Sequence, residues 1–354
     1  MPPALSGATV APEPGGGMTE AHRRGQVRIA ADAAREIRES WLGVSPTDLE
    51  PTSRSWLGRA IPLLRGFRRR SRRLSGAYLR LLRGQRTGRT LPPLDPGPDR
   101  REVRLGELRE EFYRLAGEPR PRPRDDDTVR VTVDDFEWPD GDEEGDDRAA
   151  TVSLIVTGPV RAQDGITRVQ GAAERGRLDA PAVLAELDAV MRDAGATAAA
   201  AADREAQRGG RDLIASYAAA DRAVVGWARV TDGDPCWFCA MLASRGAVYR
   251  SQWRARYTGQ TRRGAQRPDR MPDGWQDWAP ERLADWEAEQ GLNRFHDNCH
   301  CTLVPVYSRD GWVPETSAEW RRLYTDSTRG LAGPDARAAF RRAIEERRRQ
   351  QRAA

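Results

Sequence analysis

All four cysteines and two of the three histidines fall into two short segments, Asp234-Pro235-Cys236-Trp237-Phe238-Cys239 and Phe295-His296-Asp297-Asn298-Cys299-His300-Cys301. Only His22 lies elsewhere. Random placement rarely does this, so any fold of the chain must account for the clustering. A tetrahedral zinc ion takes four Cys or His ligands, and a C-x2-C turn lets two thiolates converge without distorting a helix or strand. The second segment spaces His296, Cys299 and Cys301 so that it can supply the other two. Six candidate donors exceed four. Cys236, Cys239, Cys299 and Cys301 are favoured, with His296 the main rival and His300 expected to face solvent. Roughly sixty residues separate the clusters, wide for a compact finger, but each half is local and the intervening chain need only return. Other readings stay open: a disulfide pair, disfavoured in a reducing cytosol; a redox C-x-x-C or catalytic thiol, the former normally set between the strand and helix of a βαβ unit; or buried thiols with no role.

The chain has 354 residues, enough for two or three ordinary domains or one with long extensions. Hydrophobic residues are 38% and charged residues 31%, a lean ratio that predicts some linker or tail. No run approaches the roughly 18 apolar residues of a membrane span. The first residues show no basic n-region and no apolar h-region, so no secretory signal is expected and a cytoplasmic protein is the default. The 58 basic residues, every one Arg, nearly balance 53 acidic ones. Coding in a GC-rich genome explains the missing Lys, and only local Arg clusters carry meaning.

Along the chain, 1–17 reads as a flexible tail and 18–86 as a helical region. Its first helix has Thr19 as a potential N-cap and runs towards Trp41-Leu42. A second starts near Ser53 or Ser55, with Trp56, Ala60, Leu64, Phe67, Leu74, Tyr78 and Leu81 on one face, and Pro62 and Gly66 expected to kink it. Arg65, Arg68, Arg69, Arg70, Arg72 and Arg73 decorate the other side, either as a solvated face or as a patch for phosphates or an acidic partner. Residues 87–126 read mostly as linker with a helical stretch near Glu107–Leu115, and 127–138 as a strand whose partner is 150–160. Helices are predicted over 180–193, 197–220, 312–324 and 334–349, the last part of a basic C-terminal helix at 331–354. The fold class that results is mostly α with a small β element, with an α+β domain at 127–330.

With these residues in place, Gly226–Tyr249 (GWARVTDGDPCWFCAMLASRGAVY) and Phe295–Tyr307 (FHDNCHCTLVPVY) resemble the Mu F-type minor head proteins of tailed bacteriophages, in the subgroup found in actinobacteriophages. The matching pieces are Cys236, Cys239, Gly246, Tyr249, His296, Cys299, Cys301, Pro305 and Val306, and the resemblance covers about residues 180–330. It implies a virion protein inside the head near the portal, present in few copies and acting in head assembly and DNA packaging or delivery. The implied partners are the portal protein, the major capsid or scaffold proteins and packaged double-stranded DNA, with no membrane. Related proteins are also labelled capsid maturation proteases. The residues argue otherwise: a serine protease needs a histidine outside the clusters, leaving only His22, a Ser-Lys dyad has no Lys, and Cys299 and His300 are sequence neighbours. A zinc-dependent nuclease or nucleic-acid-binding protein, with His296 or His300 as base, is a further alternative. No catalytic or small-molecule-binding residue is assigned. The Trp-bearing stretch 251–293, with Trp253, Trp275, Trp278 and Trp286, is expected to order only when anchored at both ends by the cysteine clusters.

Overall fold

The computed structural model describes residues 17–95, 100–141, 143–246, 301–307 and 315–353. Residues 1–16 of the predicted tail 1–17, the Trp-bearing stretch 251–293, and His296, Cys299 and His300 lie outside them. Helix α1 (Met18–Trp41) and helix α2 (Leu49–Thr87) form the first pair. The first begins after Gly17, and Thr19, expected as its cap, instead bonds the Tyr78 hydroxyl at 3.0 Å. Helix α2 starts earlier than predicted, because Pro51 falls in the first turn, where its missing N–H costs nothing. It continues as helix through Pro62 and ends on Gly88, whose φ of 69° is the left-handed conformation that a C-terminal cap requires.

Strands β1 (Arg89–Thr90) and β2 (Glu102–Arg104) flank β3 (Arg130–Val133), the first parallel and the second antiparallel to it. Between β2 and β3, helix α3 (Leu105–Ala116) buries Leu105, Leu108 and Phe112 against the first two helices. The predicted hairpin between 127–138 and 150–160 does not form. Instead α4 (Glu143–Ile155) and a π-helical turn at Val156–Val160 lead into α5 (Arg161–Glu174). The β-branched run misdirects the local reading, since Ala150, Leu154, Gly158 and Ala162 are buried at four-residue spacing while Val152, Val156 and Val160 are exposed. A strand would bury alternate residues; packing on α2 and α6 overrides β propensity here. Pro159 has no N–H for the α-helical ladder, which accounts for the π turn.

Helix α6 (Ala180–Ala220) joins the two helices predicted over 180–193 and 197–220 into one of 41 residues, capped by Asp179 accepting from the Ala182 N–H at 2.9 Å. It packs along both α1 and α2. Ala194, Ala198, Ala201, Ala202 and Ala206 make a flat buried face. The approach to α2 is closest at Gly209-Gly210. A Cβ on Gly209 would lie 2.3 Å from the Arg68 carbonyl oxygen, and one on Gly210 would lie 2.5 Å from Ser75 Oγ. Trp41 fills the far end of this layer. It meets Trp56 edge-on at 4.9 Å and donates its indole N–H to the Met191 carbonyl at 2.9 Å.

Strand β4 (Gly226–Val230) pairs antiparallel with β5 (Thr302–Val306), Gly226 opposite Val306 and Arg229 opposite Leu303. Every residue of both strands is buried. A lone two-stranded ribbon is marginal in water. Helices cover this one: α6 on β5, and α7 (Trp237–Ser244) with α8 (Glu315–Ser327) on β4. Helix α9 (Gly333–Ala353) closes the lobe through Phe340, which meets Tyr324 at 5.1 Å. The architecture is mostly helical with small β elements, as the patterning predicts. No helix among the described residues is long and apolar enough to cross a membrane.

A buried polar hub ties the ribbon to the helices. Arg83 near the end of α2 donates to Asp221 at 2.9 Å and pairs with Asp134 at 2.7 Å. The Tyr217 hydroxyl donates to Asp221 and lies 2.7 Å from the Tyr307 hydroxyl, just beyond β5. Burial pushes the Asp221 carboxyl up, but hydrogen bonds from Arg83 and Tyr217 outweigh it, leaving Asp221 below its ordinary value.

Candidate cysteine centre

Three of the five predicted ligands meet. Cys236 is the N-cap of α7, and its sulfur accepts the Cys239 N–H at 3.4 Å, so the C-x-x-C turn is also the start of a helix. Pro235, with no N–H and a fixed φ, sets the entry. Cys239 lies on the first turn of α7 and is buried, and Cys301 is the residue before β5. Their sulfurs are 3.3 Å apart. That is far beyond the roughly 2.05 Å of a disulfide bond. It is the close contact of two free cysteines, shorter than the roughly 3.8 Å edge of two thiolates on one tetrahedral zinc with bonds of about 2.3 Å. Cys236 packs against both. The described residues alone do not complete a cation site of three or more Cys, His, Asp or Glu donors. The remaining predicted donors, His296 and Cys299, lie just upstream of Cys301 in sequence.

Arg229 is the residue that sequence reasoning missed. Its side chain is wholly buried in β4, and its Nη2 donates to Cys301 Sγ at 2.9 Å and to Cys239 Sγ at 3.5 Å. The available signal was an Arg inside an otherwise apolar strand, in Gly226-Trp227-Ala228-Arg229-Val230. The Arg229 guanidinium and the first-turn amide of α7 thus both donate to sulfurs of this centre.

The centre is clamped from outside. Trp320 of α8 donates to Thr231 Oγ1 at 2.8 Å, and Arg321 to the Ser244 carbonyl at 3.2 Å. From α9, Arg347 stacks on Trp320 at 4.8 Å and pairs with Glu319, while Arg348 donates to the Asp234 carbonyl at 3.0 Å, directly before Pro235-Cys236. The α2 arginines are similarly engaged. Arg65 and Arg68 bond Asp147, Arg69 bonds Glu143 at 2.8 Å, Arg72 donates to the Pro139 carbonyl, and Arg73 pairs with Asp95 at 2.7 Å. The acidic stretch 140–147 thus supplies an intramolecular partner for much of this cluster.

His22 is buried between α1, α2 and α6, with Nε2 3.0 Å from Ser75 Oγ and its ring stacked on Tyr78 at 4.4 Å. Burial pushes its pKa down to about 3, so the ring is neutral. The Ser75–His22 contact is enclosed. It belongs to a polar seam in which Gln26 donates to the Ser71 carbonyl at 3.0 Å and Ser71 Oγ accepts the Gly210 N–H at 3.0 Å. Gln26, Arg211 and Cys301 also line the small cavity beside His22, linking this seam to the cysteine centre.

The family described as VG15 protein matches residues 169–327, which takes in α6, β4, α7, β5 and α8. The Gene 15 protein of Mycobacterium phage L5 is 31% identical over 127 residues, covering 34% of this chain and 43% of that protein. The chain therefore spans less than half the length of this relative. No solved structure matches. Together these similarities indicate a bacteriophage protein.

Proposed function

We propose that the chain is a structural component of a tailed-phage head: a minor head protein of the Mu F type, located inside the virion near the portal. It acts in head assembly and in DNA packaging or delivery. The observation that carries this reading is a coincidence of position. The segments resembling the Mu F type include β4, α7 and β5, and the phage family match covers the same elements. Docking to the portal and to capsid or scaffold proteins ranks ahead of DNA contact, because much of the two Arg clusters already engages the chain's own carboxylates and carbonyls.

In this reading the cysteine centre is architectural. Cys236, Cys239 and Cys301, with His296 or Cys299 as a further donor, hold one zinc ion that cross-links α7 to β5. The convergence of Cys239 and Cys301 and the amide bond to Cys236 support this reading.

Co-expression with the phage's portal and major capsid proteins tests the function. The expected result is heads that contain this chain in few copies and a capsid band of unchanged length. Heads lacking the chain would contradict the structural role, and a shortened capsid band would favour a maturation protease. Native mass spectrometry on protein purified without chelator is expected to show one bound zinc; an apo mass would remove the metal from the account.

A further inference from the structure

We propose that the outer face of the helix running from α4 into α5 is a self-association surface, on which a second copy of this chain packs antiparallel. Helix α4, the π-helical turn and α5 run on without a break, since Ile155, Val160 and Arg161 at their joins all keep right-handed helical backbone angles. Their inner face buries Ala150, Leu154, Gly158 and Ala162. On the outer face Val152, Val156 and Val160 are 58%, 56% and 44% exposed, one above the next at four-residue spacing. The outward face of a surface helix ordinarily carries polar residues, and Val is a poorer helix former than Glu, Gln or Arg. Single exposed apolar residues are common; three on one line are not. A four-residue step overshoots one α-helical turn, so such a line winds round the helix, and the wider π turn at Val156–Val160 slows that winding.

Charge identifies the occupant. The same four-residue line continues to Arg148 and Glu144 on one side and to Asp164 and Arg168 on the other, all four exposed. Turned about a two-fold axis at Val156, the line meets its own copy in reverse. Val152 then faces Val160, Arg148 faces Asp164 and Glu144 faces Arg168. Every charge meets its opposite, and each pair occurs twice, as an isologous contact requires. A parallel arrangement would set Arg148 on Arg148 and Asp164 on Asp164, and is disfavoured by repulsion. Rows of residues four apart are the ridges by which helices most often pack, crossing at about 50°. Contacts within the chain compete only weakly: Arg148 reaches Glu144 at 3.5 Å across one exposed turn, and Arg168 donates to the Asp164 carbonyl at 3.3 Å. The surface lies upstream of the family match at 169–327 and rests on neither the metal reading nor the head reading.

The test measures self-association of the full chain by sedimentation equilibrium, at low salt and up to about 100 μM, a range that detects complexes of micromolar affinity. A reversible wild-type dimer is expected. Val156→Arg sets two like charges on the axis and should weaken the dimer at least about 10-fold, with an unchanged melting curve. Arg148→Glu and Asp164→Arg each set like charges face to face twice, and each alone should weaken self-association by a similar factor. Mixed one to one, these two variants present opposite charges at both contacts, and the mixture is expected to associate as wild type does. A surface for any other partner gives no such rescue. A monomeric wild type, a dimer indifferent to Val156→Arg, or a mixture no tighter than either charge variant alone would overturn the proposal. A monomer that Val156→Arg destabilises would assign the stripe to the chain's own residues and overturn it equally. Should Val156→Arg not fold, the two charge variants, which alter exposed side chains only, decide the matter on the same terms.

Discussion

Helices α1, α2 and α6 meet across faces of alanine, glycine and large aromatics, whereas β4, α7 and β5 meet around three sulfurs and a guanidinium. The first region resembles an ordinary protein interior, with many apolar side chains and backbones brought close by glycine. The second has short elements: two five-residue strands and an eight-residue helix, leaning on α6, α8 and α9. The contrast teaches that the long helices bury an extended apolar interior of their own, while the ribbon lobe depends on the helices packed around it and, on the proposed metal reading, on a cross-link.

The junction between the regions offers the largest effect. Asp221→Ala removes a buried partner of Arg83 and of Tyr217, and is expected to destabilise by about 3–5 kcal/mol, read by chemical denaturation. Separate unfolding of the lobe before the helices would sharpen the comparison; a single unchanged transition would break it.

Within the helical layer, Gly209→Ala probes close approach. In an exposed helix this change stabilises by up to about 1 kcal/mol. At Gly209 the added methyl meets the Arg68 carbonyl, and a net loss of about 2–3 kcal/mol is expected. Gly58→Ala, with nothing near the added carbon, is the control and should stabilise slightly. Equal effects at the two sites would show that the α2–α6 contact is looser than described.

The pH dependence of His22 is smaller per pH unit. Its folded pKa of about 3 lies below the ordinary histidine value of 6.5. The unfolded chain therefore binds the extra proton first as pH falls. The contribution is fully present above about pH 6.5, and declines by about 1.4 kcal/mol per unit as pH falls towards the folded value. Denaturant midpoints at several pH values, wild type against His22→Gln, should show this slope only in wild type. Smallest of all is Arg69→Ala. Both Arg69 and its partner Glu143 are exposed, so no measurable change in melting temperature is expected.

Much of this was legible in the chain itself. The apolar face of α2, the helical character of α1 and of the two halves of α6, and the pairing of the C-x-x-C turn with the Cys301 segment follow from residue chemistry read locally. The failure at 150–160 was a failure of locality: Thr151-Val152-Ser153-Leu154-Ile155-Val156 has strand-forming residues, and only the neighbours α2 and α6 decide which of them face inward. Arg229 was missed for a related reason. A charged residue in an apolar run has meaning only once the sulfurs it faces are in place. The partner of the α2 Arg cluster, the acidic stretch 140–147, likewise emerges from tertiary proximity rather than from spacing.

The central claim is that a metal–thiolate cross-link orders the ribbon lobe, while the helices need none. Hydrogen exchange followed by mass spectrometry on the full chain, with and without a zinc chelator, tests it directly. The account predicts that chelation strips protection from peptides of β4, α7 and β5 and leaves the cores of α1, α2 and α6 protected. Unchanged exchange in the lobe, or equal loss throughout the chain, would contradict it.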